Sequence, residues 1–183
     1  FIDSDMQVYK DDFIELYIKE NSPIVAGGIK VLEDKNPNYI LHKKYERARS
    51  TNIATTQNLL VRKDVFNEIR FIENVKKYGY EDIIFSHRLD KMYGIKFIYN
   101  PLIHNGPIHT DDFIKRIGES TETLIELYKN DKYHKDIIES SKLLRAYLKI
   151  KRIKGLYVLG FKMIKKVLVK QLKSKNPNMF IMD

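Results

Sequence analysis

The residues near the start of the chain best suited to chemistry are Asp3 and Asp5, one residue apart in FIDSDM. Phe1-Ile2 reads as the end of a buried strand. On a strand, residues i and i+2 face one side, so the two carboxylates can converge on a divalent cation that itself holds a diphosphate. Such a cation would offset the charge developing on a leaving nucleotide. The same pair can also be a solvated strand-to-turn junction. A second acidic group, Glu81-Asp82 in YGYED, falls at a helix N-terminus, where the dipole favours carboxylates whether or not they react. Its reactive reading makes Asp82 a general base for a hydroxyl that loses its proton as it attacks. His104, just past a strand in NPLIH, is a metal-ligand candidate or an ordinary imidazole.

The elements that must position these groups follow from apolar spacing. Residues 10–20 read as a helix with Asp11 and Asp12 at its start, and 24–32 as a strand interrupted at Gly27 and Gly28, where a ligand could approach closely or a bulge form. Residues 33–51 read as loop or short helix, 57–63 as a strand and 64–69 as a helix capped by Asp64. The helix opened by YGYED stops at Gly94, and 95–101 is a strand ended by Pro101. Two helical stretches, 110–130 and 134–172, complete the chain. In the second, Ile153, Leu156, Tyr157, Phe161, Ile164, Val167, Leu168 and Leu172 share one face, with Lys151, Lys162, Lys165, Lys166 and Lys173 opposite.

Composition narrows the options. At 183 residues and 43% hydrophobic, the chain can build a core, and with no cysteine any metal must be a hard cation held by oxygen or imidazole. The net charge of +9 is concentrated: residues 142–175 hold 12 of the 33 Lys and Arg and no acid, leaving 21 basic against 24 acidic residues elsewhere. A slightly acidic body argues against nucleic acid as partner. The basic amphipathic tail suits packing on the body or lying on an anionic membrane surface, through 142–173. FIDSDM is not a signal peptide, so the expected location is cytoplasmic, peripheral at the inner face of a membrane.

Taken in order, D-x-D, then YGYEDIIFSHRL, then Gly94 and IKFIYNPLIHN, with TTQNLLVRKDVFNEI between, resemble glycosyltransferase family 2 over residues 1–130. HNGPIHTDDFIKRIGESTETLIELY is similar to a bacterial branch of that family. The resemblance implies an α/β chain of the GT-A (Rossmann-like) type: a mixed sheet flanked by helices, with the N-terminal nucleotide-binding half missing. It divides the chain into a catalytic part, 1–130, and a helical C-terminal extension, 131–183. It further implies a metal-dependent inverting transfer from a nucleoside diphosphate sugar, UDP in the first instance, to a glycan or lipid-linked acceptor in surface polysaccharide synthesis. Asp5 and His104 would bind Mn2+ or Mg2+, and Asp3 the ribose or a metal-bound water. Asp82 would be the base, Glu81 would bind acceptor hydroxyls, and Asn58 would lie near the donor sugar. Arg49, His42, Lys115 and Arg116 could contact phosphate or acceptor, or remain solvated charges. The processive Gln-x-x-Arg-Trp signature is absent, so single-sugar addition is expected. The rival readings are a non-catalytic scaffold and a basic membrane-surface adaptor.

Overall fold

The computed structural model describes residues 1–33, 36–50, 54–73, 75, 78–151 and 154–178, with the backbone alone at 154, 156, 157 and 159. The chain is mixed α/β. Its described strands are β1 (Met6–Gln7), β2 (Ile24–Ala26), β3 (Ile29–Lys30), β4 (Leu59–Val61), β5 (Lys96–Phe97) and β6 (Leu102–His104). Its helices are α1 (Phe13–Ile18), α2 (Ile40–Arg49), α3 (Lys63–Glu68), α4 (Glu81–Tyr93), α5 (Thr110–Lys129), α6 (His134–Ser140), α7 (Lys142–Ile150) and α8 (Lys154–Leu172).

Ile24, Val25 and Ala26 are at most 1% exposed, so β2 is covered on both faces. On one face Ile24 and Ala26 meet Leu59, Val65, Phe85 and Leu89 of β4, α3 and α4. On the other, Val25 meets Phe13 and Tyr17 of α1 together with Leu102. This alternation of strand side chains makes β2 the centre of two layers of core.

β2 pairs antiparallel with β4 and parallel with β5, while β3 pairs parallel with β6, whose far edge takes β1 antiparallel, Met6 opposite His104. Between the two sheets, the amides of Ile98, Asn100 and Leu102 donate to the carbonyls of Ala26, Gly27 and Gly28 at 3.0, 3.1 and 3.3 Å. Successive carbonyls of an extended strand point to opposite sides, so three in a row facing one neighbour require a bulge. Gly28, at φ 78°, turns the backbone there, while the register, Ala26 opposite Phe97 and Ile29 opposite Leu102, places the extra residues of the bulge on the facing strand. The Gly27-Gly28 interruption thus lies at a bulge packed by protein: a Cβ on Gly27 would lie 2.5 Å from Asn100 O and 2.5 Å from Asn58 Nδ2.

Several boundaries differ from the sequence reading for local reasons. Pro101 does not end its strand. It falls between the donors Asn100 and Leu102, where no hydrogen bond to β3 is required of it, and the strand resumes as β6. The stretch 134–172 is three helices: Ser141 is extended (ψ 111°), and its hydroxyl accepts from Leu144 N at 3.1 Å, which starts a new helix. Arg62, not Asp64, is the N-cap of α3; Asp64 sits in the first turn and holds Arg62 by two bonds of 2.7 and 2.8 Å. Asp12 precedes α1 without a side-chain capping bond. The stretch 33–51 contains a ten-residue helix, α2, after a 3-10 turn at Pro37–Tyr39, with residues 34, 35 and 51 outside the described set.

A second core joins α4, α5, α6 and α7 through Ile84, Leu124, Leu127, Ile137 and Leu144. α8 stands outside it. Phe161, Ile164 and Val167 are exposed, Leu168 and Leu172 half-buried; Ile153 and the side chains of Leu156 and Tyr157 lie outside the described residues.

Asn58 ties the centre together. It is 2% exposed; its amide nitrogen donates to Gly28 O at 2.7 Å and Asn100 O at 2.8 Å, and its carbonyl accepts from Tyr17 OH at 2.5 Å. Burial pushes the Tyr17 hydroxyl up to about 12, so it remains a donor. Asn58→Ala removes a donor from Gly28 O and from Asn100 O and the acceptor of the Tyr17 hydroxyl, while Leu102 N still serves Gly28 O, and should lower the unfolding free energy by about 1–3 kcal/mol, read from urea denaturation.

Candidate functional site

The Asp3-Ser4-Asp5 segment forms a tight turn, with Met6 N donating to Asp3 O at 3.1 Å. The strand before it is a single bridge, Ile2 to Asn58. The two carboxylates are therefore aimed by a turn and not by strand alternation, which corrects the i, i+2 expectation. β1 then carries the chain antiparallel along β6, and this pairing sets Asp5 beside His104. Asp5 Oδ2 lies 3.1 Å from His104 Nε2.

Behind this pair is a residue that the sequence reading passed over. Glu46, on α2, is buried and accepts a short hydrogen bond at Oε1 from His104 Nδ1. The same oxygen lies 3.8 Å from His42 Nε2. His42 Nδ1 accepts from the amide of Ile108 at 2.9 Å, which leaves its ring proton on Nε2, facing Glu46. His42 and Glu46 are i and i+4 on one helix face, and that spacing was the available signal. The Glu46 hydrogen bond raises the His104 pKa; burial lowers that of His42, which favours its neutral form. With Nδ1–H given to Glu46, His104 presents Nε2 to Asp5: as a proton donor when the ring is charged, and, when it is neutral, as the lone pair that a metal ion would take.

Among the described residues no three His, Asp or Glu side chains gather into a metal cage. Asp5 and His104 supply two ligands, a donor set suited to a hard cation that takes its remaining oxygens from water or phosphate. Gly106 lets the backbone pass close to them, where a side chain would collide: a Cβ there would lie 2.7 Å from Asp5 Oδ2 and 3.2 Å from His104 Nε2. The residues present fit such a cation.

Glu81 and Asp82 open α4 behind an unusual turn. Gly79 has φ 98° and Tyr80 φ 72°, a left-handed conformation costly for a residue with a side chain. The turn is clamped to α5 by Thr123 Oγ1 donating to Tyr78 O at 2.9 Å, and by an approach so close that a Cβ on Gly79 would lie 2.8 Å from Ser120 Cβ. The Tyr80 ring packs among the side chains of the second core. Asp82 accepts from Ile83 N at 2.8 Å. Burial, then the charge of Glu81, and to a smaller extent that of Asp3, push its pKa up. Glu81 Oε2 is buried and takes no hydrogen bond. Asp82 is thus a carboxylate whose ionised form is held at a cost, the condition of a useful proton acceptor.

Other expected contacts are placed elsewhere. Asn58 cannot reach a donor sugar, because it is buried with its amide spent inside the sheet. Lys115, its side chain 76% exposed, faces solvent on α5 and pairs with Glu119 at 3.8 Å. His42 supports Glu46 instead of meeting a phosphate. Arg49 lies over the Tyr45 ring at 3.7 Å, and Arg116 stands 5.5 Å from the Tyr78 ring.

Compared with family models, with curated proteins and with solved structures, the chain matches none.

Glu46→Ala removes the buried acceptor of His104 and should cost about 1–3 kcal/mol of stability in urea denaturation. The His104 pKa, followed by NMR, should drop toward its ordinary value, since the largest cause of its rise is gone. Glu46→Gln, which keeps an acceptor, should lose less stability.

Proposed function

We propose that the chain is the catalytic portion of a metal-dependent, inverting glycosyltransferase of GT-A architecture. It moves a sugar from a nucleoside diphosphate donor, UDP in the first instance, to a hydroxyl of a glycan or lipid-linked acceptor, as in bacterial surface polysaccharide synthesis. The observation that carries the reading is Asp5 meeting His104 Nε2 at 3.1 Å, with the backbone of Gly106 close against both.

Asp5 and His104 would hold Mn2+ or Mg2+; when bound, the cation supplies electrostatic stabilisation of the departing diphosphate. Glu46 holds His104 in the required tautomer from behind. Asp82 receives the proton of the attacking hydroxyl, and its raised pKa makes it a stronger base than an exposed aspartate. Direct attack by that oxygen on the anomeric carbon, opposite the leaving diphosphate, inverts the centre. Glu81 Oε2, buried without a partner, accepts a hydrogen bond from an acceptor hydroxyl. Asp3 serves the ribose or a cation-bound water.

The placement of Asn58 in the core and Lys115 in solvent favours a second reading, a non-catalytic scaffold of the same architecture. Calorimetric titration of UDP separates the two. The first reading expects binding that needs Mn2+, is reversed by chelator and is abolished in Asp5→Ala; heat that is absent, or indifferent to metal and to Asp5, would sink it.

Asp82→Asn should lower turnover by roughly 10²–10⁴-fold while sparing UDP binding. It also has a signature in stability. Between the ordinary and the raised pKa of Asp82, the folded chain keeps a proton that the unfolded chain has lost, so stability falls as pH rises through that window. Asp82→Asn should abolish this fall, in urea titrations run from acid to neutral pH.

A further inference from the structure

α8 is fastened to the body at its C-terminal end. Lys173 pairs with Asp111 of α5 at 2.7 Å, Lys44 of α2 donates to Pro177 O at 3.2 Å and also to Asn176, and Pro177 is buried. Along the helix, described apolar side chains are left uncovered. Phe161, Ile164 and Val167, exposed by 43, 50 and 66%, recur on successive turns, flanked by Val158 and Met163, the latter 77% exposed. Lys162, Lys165, Lys166 and Lys170 are exposed along the same helix. A shallow concavity beside its second half is lined by Lys165, Lys166, Lys170 and Lys173 and contains none of the groups around Asp5 or Asp82.

We propose that α8 docks on an anionic bilayer surface, with its apolar side chains at the boundary of headgroups and acyl chains and its lysines among lipid phosphates. Charge complementarity selects this occupant. Residues 142–175 carry twelve cations and no acid, so pairing this face with the same face of a second copy would set like charge against like, whereas an anionic membrane supplies the missing sign. No described helix is long and apolar enough to cross a membrane, which fits a helix lying along the surface. The anchor ties α8 to α2 and α5, and α2 also carries Glu46, so docking would hold the Asp5 and His104 region at a fixed relation to the membrane plane. The proposal does not depend on catalysis: a chain that transfers no sugar would dock equally.

The test is co-sedimentation of the full 183-residue chain with vesicles of phosphatidylcholine alone or mixed with phosphatidylglycerol. Binding to the mixed vesicles should be at least about tenfold tighter than to the neutral ones and should be released at ~0.5 M salt. Replacing Lys165, Lys166 and Lys170 by Gln should weaken it by roughly a hundredfold. Phe161→Glu combined with Ile164→Glu should weaken it by about tenfold or more; both residues are exposed, so the circular dichroism spectrum should not change. Equal binding to neutral and anionic vesicles, or binding indifferent to these substitutions, would overturn the proposal. So would failure to pellet together with a dimer in light scattering that the two glutamates dissolve, because a second copy would then be the occupant.

Discussion

The parallel pairing of residues 24–30 with 96–104, carried across a bulge, is the constraint on which the structure depends. Three consecutive carbonyls, Ala26 to Gly28, accept from one neighbouring strand. Glycine adopts the Gly28 backbone without strain, and the crowding around Gly27 leaves no room for a Cβ. The bulge leaves polar groups in a place water does not reach, and the Asn58 amide satisfies two of them while accepting from Tyr17. The strand direction fixed there delivers His104 to the sheet edge where β1 brings Asp5. The candidate metal ligands, 99 residues apart in the chain, meet because of a hydrogen-bond requirement at the centre of the sheet.

How much of this could be read beforehand depends on the range of the forces involved. Gly94 stops α4 as expected, because a helix ending on a residue with φ 70° is decided within one turn. The interruption at Gly27-Gly28 was legible for the same reason, but its purpose was not, since the groups that fill the space come from Tyr17, Asn58 and Asn100. Pro101 misled because its effect depends on which amides the neighbouring strand needs. Ser141 misled because its hydroxyl could as well have pointed out from a continuous helix as capped a new one.

The site divides in the same way. Asp5, His104 and Asp82 stand out by residue type and local setting. Glu46 does not, because a glutamate on a helix rich in Lys and Arg reads as one more surface charge until His104 arrives from 58 residues away to bury it. Asn58 shows the reverse: a polar residue in a suggestive position proved to serve the sheet. A side chain that completes an internal network and one that awaits a ligand look alike in sequence; only the tally of satisfied donors and acceptors separates them, and by that tally Glu81 Oε2 is open while the Asn58 amide is spent.

The backbone at Tyr80 has a further consequence. A tyrosine at φ 72° costs about 1–3 kcal/mol that glycine or asparagine would largely avoid, and the packing of its ring against the second core works against that cost. That energy sits one residue before the carboxylates that open α4. The turn is therefore strained where α4 begins, and side-chain packing from α5, α6 and α7 around the Tyr80 ring holds it there. The geometry at the start of α4 is thus set in part by helices that follow it in the chain.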